Sequence, residues 1–502
     1  MNLRMLGVAA IALLMAGLGW FVAQRQTGEA PVAVPVASAG ATLAAARAAG
    51  SGASGNTLDA VRQGKVWVVQ DGESIQAAIG RAQPGDTVQV MPGTYRETTY
   101  IDKDDITLLG VIQGGSWPTL DGEGQRNDAV LYSGNGIRVE NLKVIGYKGN
   151  AIMGQAGNNF VIRHNWIANT GVYGIFPELG QNGLVEHNIL TGIEDAAIYI
   201  GMCDNVHVAH NEVYGNVAGI EVENSRHVIV ENNVATDNAG GILAFITPGL
   251  PIKTTFDVII RNNFIVANNH RNFAAVGSIV SGVPPGTGVI IMAADDVIIE
   301  NNVIRGNRNA GLIIADHASF ANITPDPEAD PYPDRVQILR NFFADNGTDP
   351  MKEIQALMLT ALTRQGPDVV AVGGGHDSCA IDKGAFKWLG IKDYGTCRRS
   401  SSADVATYLL AQPAAPRKLE ITDKGKLLYA GICAGCHAYN QRLIGPPVRE
   451  IQALYAGNAQ GIADFIANPA KKRDDFPPMP PQGHLSADQR LAVAQYLLGV
   501  QK

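Results

Sequence analysis

A six-residue template recurs through the middle of this chain: Val206 to Asn211 (VHVAHN), Val228 to Asn233 (VIVENN), Val258 to Asn263 (VIIRNN) and Val297 to Asn302 (VIIENN). Earlier copies end at Asn141, Asn165 and Asn188, and a later one ends at Asn341. From Asn165 the steps are 23, 23 and 22 residues, and then they lengthen. Short β-branched strands punctuated by Asn and Gly at a period in the low twenties specify a solenoid, one coil per repeat. One coil cannot bury its own apolar face, so coils must stack and share a continuous Val/Ile core. The recurring asparagines fit an internal ladder, each side-chain amide bonding to turn backbone and to the next coil.

The start of this region narrows the choice. Asp71 to Ile79 (DGESIQAAI) leads to Pro84 to Val90 (PGDTVQV) and Pro92 to Tyr95 (PGTY). Ser74 is placed to cap a short helix over 74–82 that closes the solenoid, with strands following it. This entry resembles that of the right-handed parallel β-helix, or pectin-lyase-like, family, over roughly residues 65–345. The resemblance implies an all-β right-handed parallel β-helix, with its domain drawn at 61–345. It implies little about function, since the fold hosts lyases, hydrolases, epimerases and non-catalytic proteins.

Alignment of the second strand of each coil sets out one face. By two-residue alternation Ile175, Ile198, Ile220 and Ile242 point inward. Phe176, Glu178, Tyr199, Glu221, Glu223 and Phe245 then form an outward stripe, with Glu194 and Asp195 in the turn just before one strand. Aromatics interleaved with carboxylates suit sugar rings, and paired carboxylates suit glycosidic acid/base chemistry. Glu221, Glu223 and Glu178 are therefore the candidate catalytic residues, against the plainer reading of a solvated β-face. His164, His187 and His210 precede ladder asparagines and should stack from coil to coil, as a polar corner or a metal site. Asp102, Asp104, Asp105, Asp295 and Asp296 fall in turns, where calcium is conceivable but turn chemistry explains them better. Extra residues at 247–256, 268–287 and 316–334 should gather on the binding face, adding His270, Arg271, Asp316 and His317 without an assigned role.

Near the C-terminus stands Cys433 to His437 (CAGCH), the spacing of a covalent c-type haem attachment site. No second C-x-x-C or spaced His pair lies nearby to complete a zinc site. Lys424 to Ala430 (KGKLLYA) reads as a short amphipathic helix leading into it. Ile444 to Pro447 (IGPP) follows, and Phe476 to Pro480 (FPPMP) offers Met479 in a Pro-locked loop. His484 is the alternative sixth ligand. Ser486 to Val500 has a Ser cap and apolar residues at helical spacing. Residues 417–502 resemble a class I cytochrome c domain, a small all-α unit. The resemblance implies one haem c, held through Cys433 and Cys436, with His437 and Met479 as axial iron ligands.

Arg4 precedes an uncharged apolar run from Met5 to Ala23, closed by Gln24, Arg25 and Gln26. Such a run is a secretory signal or a membrane anchor, and an uncleaved anchor is the favoured reading. Residues 27–60 form an Ala/Pro/Gly-rich linker. Export agrees with haem attachment outside the bacterial cytoplasm, which locates the protein in the periplasm. In that oxidising compartment Cys379 and Cys397 pair most simply as a disulfide within an irregular cap and connector, 346–416, whose residues 401–416 read as a linker. Cys203 reads as buried packing. The net charge is −8, of which residues from 417 onward carry +4 (11 Lys and Arg against 7 Asp and Glu), leaving −12 before them. Lys471, Lys472 and Arg473 beside Met479 form a basic rim suited to an acidic redox partner or to docking on the chain's own β-helix. Nothing indicates nucleic acid. The expectation is an exported monohaem electron carrier whose β-helix docks a partner or binds polysaccharide. The alternatives are a carbohydrate-active enzyme with a fused redox domain and a periplasmic metal-handling factor.

Overall fold

The alternation inside one coil builds the architecture. In the coil from Asp204 to Glu223, strand Asp204–Ala209 is followed by a turn at His210 and Asn211 and by strand Glu212–Tyr214. A second turn at Asn216 leads to strand Ala218–Glu223. Val206, Val208, Val213, Ile220 and Val222 face inward and are fully buried. The next coil repeats this in register: Val206 pairs with Val228, Val213 with Ala235 and Ile220 with Ile242. Among the described residues this yields three sheets of 12, 11 and 10 strands, whose strand pairs are parallel throughout. One core of Val, Ile and Leu runs along the axis, including Ile175, Ile198, Ile220 and Ile242. The computed structural model describes Leu58, residues 63–320 and 323–416, and residues 424–500 except 435, 441, 474, 477, 478, 480, 483 and 484. The apolar run at 5–23, the linker at 27–60 (Leu58 apart) and His484 lie outside the described residues.

Helix α1, Ile75–Arg81, closes one end; Ser74 Oγ accepts from the Ala77 amide at 3.1 Å, and Ile75, Ala78 and Ile79 seal the core. The asparagine ladder runs from Asn165 through Asn188, Asn211, Asn233, Asn263 and Asn302 to Asn341. Asn211 Nδ2 donates to Asn233 Oδ1 at 3.0 Å and to Val185 O at 3.0 Å, so each amide ties three coils together. Asn141 is not a rung. The ladder position in its coil is Leu142, whose amide donates to Asn165 Oδ1 at 3.0 Å, and Asn141 falls one residue earlier. That earlier position needs a left-handed backbone (φ near +55°), taken in turn by Asn141, His164, His187, His210 and Asn232. A second ladder, Asn216–Asn238–Asn268–Asn307–Asn346, stitches the other turn.

Coiling continues past residue 345. Strand Val369–Val372 pairs with Ala310–Ala315, Cys379–Ala380 with Gln337–Leu339, and Trp388–Leu389 with Val369–Val372. Helix α2, Lys352–Thr360, interrupts these strands and packs Ile354 with Ile313. Such short strands carry no rung asparagine, which hides them in the sequence. Cys379 and Cys397 are joined by a disulfide.

Residues 401–416 are not a loose linker. They run back along the first sheet as a strap fixed by buried side chains. Arg261 Nη1 donates to Ser402 O and Val405 O at 3.0 Å each. Leu410 and Ala414 amides donate to Asn182 and Asn159, and Asn158 Nδ2 donates to Ala415 O. The strap returns the chain to mid-solenoid, where the C-terminal helices begin: α3 (Lys424–Leu428), continued by a π-helical turn at Tyr429–Cys433, α4 (Val448–Leu454), α5 (Ala459–Ala467) and α6 (Ala487–Gly499). Ser486 and Gln489 close a capping box on α6.

Candidate functional site

Two features meet where the helical domain rests on the second sheet. The first is the segment Cys433 to His437. The π-helical turn widens the helix as it delivers Cys433, a distortion often found at functional sites. The His437 amide donates to Cys433 O at 2.8 Å, and the imidazole Nδ1 is 2.8 Å from Pro446 O. This bond occupies Nδ1 and leaves Nε2 as the nitrogen available to a metal. Gly445 lies so close that a Cβ there would stand 2.2 Å from His437 Cε1, so the backbone itself braces the ring. Burial lowers the His437 pKa, which favours the neutral ring. Met479 packs in the same apolar cluster as Cys433, Ala434, Leu443 and Ile462. Cys433 and Cys436 are not bonded to each other. A cysteine pair, a braced neutral imidazole and a thioether around one apolar cluster fit a covalent haem.

This apolar cluster does not end at the domain edge. Leu179, Met202 and Leu250 of the β-helix belong to it. The docking combines this apolar contact with a polar tie, Arg442 Nη2 donating to Val276 O at 3.2 Å. Arg473 bonds to Glu450 and Asp475 within its own domain, and Lys472 Nζ bonds to the Tyr455 hydroxyl at 2.6 Å. Burial and then the carboxylate of Glu178 push the Cys433 thiol up to about 12. Cys436 moves up for the same reasons, with Cys433 and Asp195 adding to the effect. The Cys433 and Cys436 sulfurs therefore lie within electrostatic reach of β-helix acids.

The second feature is a cavity of about 330 Å³ over the outer face of the second sheet. Register brings its acids together: Tyr199 pairs with Glu221, Gly201 with Glu223, and Glu223 with Phe245. Glu221 and Glu223 line the cavity with Asp195, from the turn before Ala196–Gly201. Glu178 does not. It sits at the end of strand Ile175–Glu178, two coils from Glu223 in the same register column, within electrostatic reach of Cys433 and Cys436. The three candidate acids thus split between two environments.

Nor is this face a solvated stripe. Glu221, Glu223 and Tyr199 are 3%, 6% and 1% exposed, and Phe176 and Phe245 are equally covered. Ile279 and Val280 from one inserted segment, Phe320 and Ile323 from another, helix α2, and Leu443 and Ile444 of the helical domain wall it in. Tyr173, Phe176 and Tyr199 spend their ring faces on one another, with centroids 4.5–4.6 Å apart, rather than offering an open stacking platform for sugars. Burial raises the pKa of Glu221 to about 8. It raises Glu223 to about 7, against a bond donated by Thr247 Oγ1. Asp195 is raised well above the ordinary range by burial and then by the charges of Glu221 and Glu223. Tyr199 Oη is buried with no hydrogen-bond partner among the described residues.

The remaining polar candidates have structural duties. His317 Nε2 is 2.8 Å from Ile246 O, and Asp316 caps the turn at His317–Ser319. Rings of His164, His187 and His210 stack at 5.0 and 4.8 Å, the spacing of the coils. Asp104 accepts from Asn135, and Asp295 and Asp296 pair with Arg335. Among the described residues no group of three or more His, Cys, Asp or Glu could hold a metal ion. Cys203 is buried in the core with its thiol 3.2 Å from Pro177 O.

Comparison with known proteins agrees with both architectures. A model of the right-handed β-helix region matches residues 120–248, and one of cytochrome c matches residues 422–501. Cytochrome c-551 of Azotobacter vinelandii is 37% identical over 70 residues, which are 13% of this chain and 83% of that protein. The mannuronan C-5 epimerase AlgE6 A-module of Azotobacter vinelandii aligns with a TM-score of 0.43 at 16% identity, over 60% of this chain and 77% of that one. The Yersinia enterocolitica family 28 exopolygalacturonase aligns with a TM-score of 0.37 at 13% identity, over 62% and 78% of the two chains. These two likenesses are of fold alone.

Proposed function

Because the chain belongs to the cytochrome c family through its C-terminal domain, joined to a right-handed β-helix, we propose that it is a periplasmic one-electron carrier whose haem edge is docked beside a β-helix binding cavity. The observation carrying this reading is the apolar cluster that Cys433 shares with Leu179, Met202 and Leu250 of the β-helix, with Leu443 and Ile444 forming cavity wall. Cys433 and Cys436 hold haem c, and His437 and Met479 supply its axial ligands. When bound, the haem supplies one-electron transfer, at a potential raised by His/Met ligation. The chain's own residues do the rest. Pro446 O and Gly445 orient the imidazole, and the Leu179, Met202 and Leu250 contact excludes water from the attachment edge. Lys471 and Lys472 meet an acidic redox partner, while residues 5–23 hold the protein at the membrane.

A second reading, a carbohydrate-active site, has support in Glu221 and Glu223. Acids raised to about 8 and 7 are poised for proton transfer at neutral pH. The apolar lining of the cavity favours the first reading.

Potentiometric titration of the haem-loaded full chain tests it. The wild type should follow a one-electron curve. Met479→Ala should abolish the sulfur-to-iron charge-transfer band and lower the potential by on the order of 100 mV, within the ~0.8 V range set by axial ligands. A Met479→Ala protein that keeps the band, or a chain that takes up no covalent haem, refutes the assignment.

A further inference from the structure

The cavity's composition restricts what can enter. Its described lining includes four carboxylates, Asp195, Glu221, Glu223 and Glu353, and no Lys, Arg or His. The rest is dominated by aliphatic and aromatic side chains from the second sheet, helix α2 and the two inserted segments. A polyuronate, negative at every ring, would find no cation to pair with there. A neutral sugar, with hydroxyls around its rim, would leave most of them facing hydrocarbon, at a desolvation cost for each. About 330 Å³ is at the lower end of small-molecule sites and suits one compact ligand rather than a polymer.

Asp195 interacts electrostatically with Glu221 and Glu223, and each of the three is less than a tenth exposed. Tyr199 stands in register beside Glu221, and its buried hydroxyl lacks a partner among the described residues. An ammonium has three N–H donors and no acceptor, and carboxylate and phenol oxygens are acceptors.

Resting on the reading that this cavity is a binding site, we propose that its ligand is a small amphiphilic amine. The protonated nitrogen sits among Asp195, Glu221, Glu223 and Tyr199 Oη, and an aliphatic or aryl body lies along Leu243, Ile290 and Ile313. Helix α2, Phe320 and Ile323 cover the body, and Leu443 and Ile444 bring the haem domain against the same chamber. A bound cation also favours ionisation of an acid cluster that burial otherwise holds protonated. Amine affinity should therefore rise with pH between about 6 and 8, while the amine itself stays protonated.

Calorimetric titration of the haem-loaded full chain with n-octylamine, 1-octanol and digalacturonate, each at pH 6 and pH 8, tests this. Octylamine should bind at least tenfold tighter than octanol at pH 8 and weaken at pH 6, with no heat from digalacturonate. The Glu221→Gln/Glu223→Gln variant should lose at least tenfold in octylamine affinity and little in octanol affinity. Tyr199→Phe, which removes only the hydroxyl, should lose a few-fold and guards against misfolding of the double variant. Octanol binding as tightly as octylamine, or digalacturonate binding instead, overturns the amine assignment while leaving the cavity as a binding site. Uptake of none of the three overturns both.

Discussion

Replacing Glu221 with Gln should change how stability depends on pH, in a direction the structure dictates. Burial raises the folded-state pKa of Glu221 to about 8, against an ordinary value of 4.5. Between those values the folded chain retains a proton that the unfolded chain has released, so stability falls as pH rises through this window. Below about pH 4.5 both states are protonated and nothing is lost. Above about 8 the loss is complete. The span of ~3.5 pH units at ~1.36 kcal/mol each corresponds to about 5 kcal/mol. Asp195 shares this titration electrostatically, so removing Glu221 alone should recover roughly half, about 2–3 kcal/mol. Glutamine keeps the shape of the protonated acid and never ionises. Urea unfolding of wild type and Glu221→Gln, followed by circular dichroism at pH 5, 7 and 8.5, reads the difference directly. The two proteins should be closest at pH 5 and diverge by pH 8.5, with the variant the more stable. Parallel profiles would show that Glu221 ionises in the folded protein as it does in water, and the buried-acid account of the cavity would fall.

Asn211→Ala should cost about 3–5 kcal/mol in the same unfolding assay. It strips Asn188 of the Oδ1 acceptor that receives both its backbone amide and Nδ2, and leaves a small void; a loss below 1 kcal/mol would mean the ladder is dispensable. Arg261→Ala should free the strap from its buried anchors at Ser402 and Val405. Limited proteolysis should then cut near residues 398–410 at least tenfold faster while the solenoid's circular dichroism is unchanged. Unaltered cleavage would show that the remaining asparagine contacts suffice.

Legibility in the sequence follows the range of the interaction. The inward row of Ile175, Ile198, Ile220 and Ile242 needs only two-residue alternation, and the structure buries all four. The attachment motif needs only local spacing, since a porphyrin bonded at two points dictates C-x-x-C. The slip at Asn141 shows the limit: Leu142 takes the rung, and a one-residue offset is invisible where both positions accept Asn. The second ladder did leave a signal. Each of its members from Asn216 to Asn346 follows a first-ladder Asn by five residues, a constant offset even where the coils lengthen. What no local pattern announces is the roof over the acids. Phe320, helix α2 and Leu443 come from 99 to 222 residues beyond Glu221, and only tertiary packing brings them there. Glu221 and Glu223 therefore read as solvated in the sequence and are buried in the protein.

The strap has an evolutionary consequence. Between Ser402, bound to Glu300, and Ala414, bound to Asn159, the chain passes six successive coils. These span about 24 Å at ~4.8 Å per coil, whereas twelve residue steps would reach about 40 Å if fully extended. The spare length means that a coil gained or lost between these anchors can be absorbed by straightening or slackening the strap. The solenoid is free to drift in length, by duplication or deletion of repeats, while the redox domain stays moored to the same few coils. The chamber and its neighbour can thus be inherited as a unit on β-helices of different sizes.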